Sequence, residues 1–236
     1  MIEFLGNLNM NTYVYAPKDD PYHRHEWRTP YPNEQATNFT SLLKAGAKHN
    51  VSLIWALSPG LSMIYSSAKD YSLLQNKYKA MKNIGFNNFG LFFDDIPLQL
   101  VHQEDRDTFN SLAEAQAKIA NDIYISLKED ASDIRLFFCP TEYMGTGNSE
   151  YLRILGEKLH PEIEVLWTGP QVCSQNLDPN NAKTVTTSLK RQITYWDNYP
   201  VNDASMQPEL HIGSYINRDR SLLEYSKGIL LNPMEL

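Results

Sequence analysis

Phe89-Gly90-Leu91-Phe92-Phe93-Asp94-Asp95-Ile96 carries an apolar run straight into two adjacent carboxylates. A run without polar alternation suits a parallel strand covered on both faces. In α/β folds the C-terminal ends of such strands hold the chemistry. The segment therefore predicts a buried strand with a functional tip at Asp94 and Asp95.

Similar runs lie on either side of it. Residues 11–16, 51–57, 134–139, 164–167, 192–196 and 228–231 are rich in Val, Ile, Tyr, Phe and Trp, and they largely lack simple alternation. Helical patterns separate them. The clearest covers 105–127, where Phe109, Leu112, Ala113, Ile119, Ala120, Ile123 and Leu127 form one stripe. Residues 68–84 give a second helix, with Tyr71, Leu74, Tyr78 and Met81 on one side and Gly85 as its stop. Residues 33–48, 150–159, 182–190 and 219–227 complete the predicted helices.

Repeated strand–helix units imply a parallel sheet with helices outside it. An open doubly wound sheet and a barrel both satisfy that pattern. The strand ends favour the barrel, because nearly every run finishes in a polar or turn-forming cluster. Examples are Pro17-Lys18-Asp19-Asp20, Ser58-Pro59-Gly60, Pro140-Thr141-Glu142-Tyr143, Thr168-Gly169-Pro170, Asn198-Tyr199-Pro200 and Asn232-Pro233. Barrel enzymes build their sites from many strand tips, whereas an open sheet gathers ligand groups at one switch point. Neither G-x-G-x-x-G nor G-x-x-x-x-G-K-[ST] occurs. The expectation is one domain over residues 1–236, an α/β fold of the (β/α)8 TIM-barrel class, in incomplete form. About seven strands are expected, with the first strand and the last helix absent.

Composition narrows the partners. The net charge is −7 and Lys and Arg are scattered, so nucleic acid is not expected as a partner. No apolar run approaches the roughly 20 residues of a membrane span. The N-terminus has no secretory signal pattern. The two cysteines, Cys139 and Cys173, form no C-x-x-C and read as reduced thiols, which favours a reducing compartment. No cofactor and no metal is expected.

Two neighbouring carboxylates resist ionising together, so one should hold its proton more tightly and could serve as an acid. The same residues could also simply cap the next helix. Adjacent acids do not suit the usual retaining geometry, in which two carboxyls about 5–5.5 Å apart flank the sugar bond. They could instead serve one side of a substrate that brings its own nucleophile. A 2-acetamido group on a sugar supplies one in its carbonyl oxygen.

The ordered set of motifs resembles glycoside hydrolase family 84, the O-GlcNAcase, β-N-acetylglucosaminidase and hyaluronidase-like enzymes. It comprises residues 11–24 (Asn11-Thr12-Tyr13-Val14-Tyr15-Ala16-Pro17-Lys18 onward), Ser58-Pro59-Gly60, Phe93-Asp94-Asp95-Ile96, Pro140-Thr141-Glu142-Tyr143, Trp167-Thr168-Gly169-Pro170, the 196–203 segment and Asn232-Pro233. Residues 138–143 and 163–170 are more similar to the animal nucleocytoplasmic enzymes than to the bacterial ones. The resemblance implies a retaining hydrolase that removes terminal β-linked GlcNAc, O-GlcNAc on Ser or Thr above all, through an oxazoline. It implies that Asp94 polarises the acetamido group and Asp95 is general acid and then base. It also implies that Tyr143 hydrogen-bonds near the oxazoline, and that Lys18, Asn198, Asp203 and Asn232 hold hydroxyls and the acetamido group. The resemblance further implies that Trp196 walls the acetamido pocket, with Thr168 close by. The partner is then a GlcNAc-bearing glycoprotein or glycan, in a cytoplasmic or nuclear setting and without a membrane, with homo-oligomerisation left open.

The family's Gly-Phe-Tyr-Gly motif has no match in this chain, and residues before Asn11 read as the end of a first barrel helix. Two rival readings follow. One is a truncated, catalytically impaired GlcNAc-binding barrel. The other is a metal-dependent barrel hydrolase using His23-x-His25.

Overall fold

The computed structural model describes residues 1–129 and 131–234. They group into two compact units, residues 1–141 and 142–236.

The first unit contains α1 (Ile2–Asn7), β1 (Thr12–Tyr15), α2 (Asn33–His49), β2 (Ser52–Leu57), α3 (Ala68–Ile84), β3 (Asn88–Phe92), α4 (Gln103–Thr108), α5 (Leu112–Lys128) and β4 (Arg135–Cys139). Its strands pair in parallel and in chain order. Tyr15 lies opposite Trp55, Leu57 opposite Leu91, and Phe92 opposite Cys139. All five residues of β3 are buried, which is why the strand after Asn88 reads as an unbroken apolar run. Burying each of Phe89, Leu91 and Phe92 contributes roughly 1.5–3 kcal/mol. Gly90 has no room for a side chain: a Cβ there would stand 2.7 Å from the Phe92 ring and 2.8 Å from the Ala56 methyl. The Gly90 carbonyl accepts a hydrogen bond from the Tyr78 hydroxyl of α3 at 2.7 Å.

The second unit contains α6 (Glu150–Lys158), β5 (Glu164–Trp167), α7 (Pro179–Leu189), β6 (Ile193–Asp197), two 3-10 turns (Ala204–Met206 and Arg220–Glu224) and β7 (Ser226–Leu231). β5 pairs with β6 and β6 with β7, again in parallel. β5 is buried throughout, whereas β7 alternates between buried or half-buried and exposed positions. The helix starts are set by side chains. Ser149 accepts the Leu152 N–H, and Asp178 accepts those of Asn180 and Asn181 just ahead of Pro179.

All seven expected strands form, most of them shifted by a residue or two at their ends. Two helical expectations fail. The single helix over 105–127 is two helices, because Phe109 turns extended and Ser111 opens a new one by accepting the Glu114 N–H. The Glu114 carboxylate reaches back to the Asn110 N–H at 3.0 Å, so local capping outweighs an apolar stripe that runs on through the break. The helix expected over 219–227 is only the 3-10 turn, and Ser226 and Lys227 already belong to β7. The 182–190 helix begins earlier, at Pro179, and ends at a left-handed Lys190. Among the described residues no helix is long and apolar enough to cross a membrane.

Candidate active site

In the first unit the ladder between β3 and β4 continues one residue past β3, where the Phe93 N–H donates to the Cys139 carbonyl at 2.9 Å. The chain then turns, and the turn separates the two acids. Asp94 is 8% exposed. Asp95 takes a left-handed backbone, φ 54°, a region Asp tolerates better than most residues, and its side chain is about half exposed. Gly60, of the Ser58-Pro59-Gly60 motif, lies against this turn: a Cβ there would be 2.9 Å from the Phe93 ring and 2.8 Å from Ile96. The glycine is thus required by close approach.

The 17–29 loop after β1 brings two cations to the pair. Lys18 Nζ donates to Asp95 Oδ2 at 2.9 Å. The Arg24 guanidinium lies 3.7 Å from Asp94 Oδ2 and donates to the Asp95 carbonyl at 3.3 Å. Burial, and next the charge of Asp95, push the Asp94 carboxyl above the usual carboxylate range, and Arg24 and Lys18 oppose that rise. Burial pulls Lys18 down, but its bond to Asp95 and the charges of both acids more than offset this and hold it above the ordinary lysine value. The pair is asymmetric, but not in the sense expected from the sequence, where the carboxyl that holds its proton more tightly is the one that serves as the acid and the resemblance makes that Asp95. The raised one is Asp94, the residue the resemblance assigns to polarising the acetamido group.

The loop itself is tied down from below. Asp20 accepts from the Tyr15 and Tyr31 hydroxyls at 3.0 and 2.8 Å and from the Tyr22 N–H at 2.8 Å. Lys77 of α3, pulled down to about 8 by burial, donates to the carbonyls of Tyr22, Trp27 and Thr29 at 2.6–2.9 Å. His23 is buried, with Nδ1 2.9 Å from the Ala56 carbonyl, and burial holds its ring below the ordinary imidazole value. It serves the loop's packing. Among the described residues no group of three or more His, Cys, Asp or Glu could hold a metal ion.

The second unit gathers other predicted residues. Asn198, just past β6, donates through Nδ2 to the Val172 carbonyl at 2.9 Å and accepts through Oδ1 from Asn232 Nδ2 at 2.9 Å. The Asn232 N–H donates to the Asp197 carbonyl at 2.9 Å. Trp196, next along β6, is half-buried. Tyr143 and Thr168 also meet: the Thr168 N–H donates to the Tyr143 carbonyl at 2.9 Å, and the Thr168 hydroxyl to the Gln171 carbonyl at 2.8 Å. Asp203 stands farther along the loop, with its charge close enough to Cys173 to add to the upward push that burial gives that thiol. A cavity of about 430 Å³ opens in this unit, lined by Asn198, Tyr199, His211, Tyr215 and Arg218 among others.

Sequence reasoning left out Arg24, Asp197, Arg218 and Tyr215. Arg24 stands within the motif that carries Lys18 and could have been weighed as a counter-ion to the acids. Asp197 sits between two assigned residues at a strand end, where a buried carboxylate calls for a cation. Nothing local points to Arg218, which lies 21 residues away.

This chain is 41% identical over 235 residues to "Protein O-GlcNAcase" of Rattus norvegicus and, equally, of Mus musculus, covering 97% of the chain and 25% of each relative. It is 44% identical to a solved mutant of the Thermobaculum terrenum O-GlcNAc hydrolase, with a TM-score of 0.97, covering 99% of this chain and 50% of that one. The chain thus spans about a quarter of the curated relatives' length and half of the solved structure's. These identities do not set it closer to the mammalian proteins. The structural likeness shows the expected fold class, an incomplete (β/α) barrel, here with seven parallel strands among the described residues. The beta-N-acetylglucosaminidase family matches residues 1–236, and the chain belongs to that family.

Proposed function

We propose that this chain supplies the catalytic acids of a retaining β-N-acetylglucosaminidase that removes terminal β-linked GlcNAc by substrate-assisted catalysis. The observation that carries the proposal is the contrast at the tip of β3: neighbouring carboxylates, one buried beside Arg24 and one half-exposed and bonded to Lys18. Asp94 accepts the substrate's acetamido N–H, which raises the electron density on the amide oxygen. That oxygen attacks the anomeric carbon as the glycosidic bond breaks, and Asp95 protonates the departing oxygen. The product is a bicyclic oxazoline, its nitrogen proton passing to the Asp94 carboxylate, which returns it to the nitrogen as the ring reopens. Asp95, now a carboxylate, takes a proton from water as the water opens the oxazoline on the face the aglycone left. Two inversions give net retention.

To act as an acid, Asp95 must hold a proton, and its bond to Lys18 favours the charged form. An arriving sugar gives the Lys18 ammonium a hydroxyl to donate to and shields Asp95 from water. Both changes favour the protonated form. Asn198, Asp203 and Asn232 hold hydroxyls, Tyr143 bonds near the oxazoline oxygen, and Trp196 covers the acetamido methyl with Thr168 close by. These assignments rest on the resemblance and on the polar chemistry of each side chain.

The proposed natural substrate is GlcNAc on protein Ser or Thr, in a cytoplasmic or nuclear setting. Two free cysteines, one of them buried, are compatible with a reducing compartment. The test is NMR of the first product released from an aryl β-GlcNAc. The β anomer is expected first. The α anomer would overturn the mechanism, and tight binding of an oxazoline mimic without turnover would favour a GlcNAc-binding barrel.

A further inference from the structure

Arg218 uses every one of its five N–H donors. Nε and one Nη2 hydrogen form a fork on the two Asp197 oxygens, both at 2.7 Å. The other Nη2 hydrogen goes to the Ser174 carbonyl at 3.2 Å, and Nη1 serves the carbonyls of Gln175 and Ile216 at 3.0 and 3.1 Å. The Tyr215 hydroxyl adds a bond to Asp197 Oδ2 at 2.8 Å. Asp197 is 1% exposed.

A buried ion pair of this kind is weak evidence for stability, since its desolvation cost rivals its attraction. Its contribution is geometric. Two of the three carbonyls held by Arg218, those of Ser174 and Gln175, lie two and three residues beyond Val172, whose own carbonyl holds the Asn198 amide. Asp197, fixed by the same guanidinium, holds the Asn232 N–H through its carbonyl. Asn198 and Asn232 then bond to each other. One cation therefore sets both ends of the Asn198–Asn232 pair without touching either side chain.

We infer that Arg218, with Asp197 and Tyr215, is a positioning residue that orients Asn198 and Asn232 toward the sugar. The inference rests on the GlcNAc-hydrolase reading for what those two asparagines hold. A lysine keeps the charge but cannot make the fork, so Arg218→Lys is the informative variant. Its kcat/KM on an aryl β-GlcNAc should fall about 10- to 100-fold, the size of a misplacement effect, along with its affinity for an oxazoline mimic. In an Asn198→Ala background the same change should cost little more, because the group it positions is gone. Equal losses in both backgrounds would overturn the inference and leave Arg218 a structural residue.

Amide hydrogen exchange reads the same claim without activity. The Asn232 N–H should lose protection in Arg218→Lys and Asp197→Asn at unchanged global stability, and more mildly in Tyr215→Phe should the stronger variants not fold. Wild-type protection in all folded variants would overturn the inference. A wild-type chain that neither turns over nor binds the mimic would instead overturn the hydrolase reading, and the exchange result would still decide this one.

Discussion

Asp94 and Asp95 are covalent neighbours with opposite surroundings, and their difference sets the first predictions. The folded Asp94 carboxyl lies above its ordinary value, with burial as the leading cause. Between the unfolded and folded values the native chain binds more protons, so Asp94's contribution to stability is greatest at low pH and falls as pH rises through the folded value. At neutral pH its ionised form destabilises the fold. Asp94→Asn should therefore raise Tm at pH 7 while lowering kcat by roughly 10²–10³-fold, measured by calorimetry and by aryl-glycoside turnover. A fall in both would show that Asp94 is held mainly by its ion pair. Arg24 opposes the rise of Asp94, so Arg24→Met should move the acid limb of the pH–rate profile upward. An unmoved limb would separate Arg24 from the ionisation that limits catalysis.

At the scale of elements, the site depends on turns more than on strands. Gly60 leaves no space between its own turn and the one after β3, since a methyl added there would stand under 3.0 Å from Phe93 and Ile96. Gly60→Ala should lower kcat/KM about 10- to 100-fold by displacing that turn. Its stability loss should stay near the roughly 1–3 kcal/mol of an overpacked site. Unchanged kinetics would show that the turn absorbs the methyl elsewhere.

The loop after β6 carries its own pH dependence. His211 places Nδ1 2.9 Å from the Val201 carbonyl and Nε2 2.7 Å from a Glu209 oxygen. Both partners accept, so the doubly protonated ring fits best, and the bond to Glu209 leads in raising the His211 value. The order this lends the loop is complete below the ordinary histidine value and is lost as pH rises through the raised one. Limited proteolysis within residues 199–213 should accelerate over that rise, and His211→Phe should remove the dependence. A pH-independent cleavage rate in the wild type would contradict this.

On the scale of the whole molecule, what could be read from sequence follows from how far apart interacting residues lie. Strands were legible because parallel strands buried on both faces are mostly apolar, as β3 after Asn88 and β5 after Glu164 are. Lys18, Asp94 and Asp95 were legible because each ends a strand or opens a loop with a distinctive motif, and the structure does bring those three together. The break between α4 and α5 was obscured because the Ser111 cap sits inside a continuing apolar stripe. Lys77 and Arg218 were illegible for another reason. They serve backbone carbonyls about 50 and 2–44 residues away, and a carbonyl is present at every position whatever the side chain. Sequence patterns thus reveal which side chains do chemistry more readily than which ones hold the loops that aim them.

The central claim is that the sugar's own amide oxygen, oriented by Asp94, is the nucleophile. Replacing the N-acetyl methyl hydrogens of an aryl β-GlcNAc stepwise with fluorine weakens that oxygen and leaves the leaving group unchanged. The account predicts that kcat/KM falls steeply with each fluorine. A rate that does not respond to fluorination would contradict it.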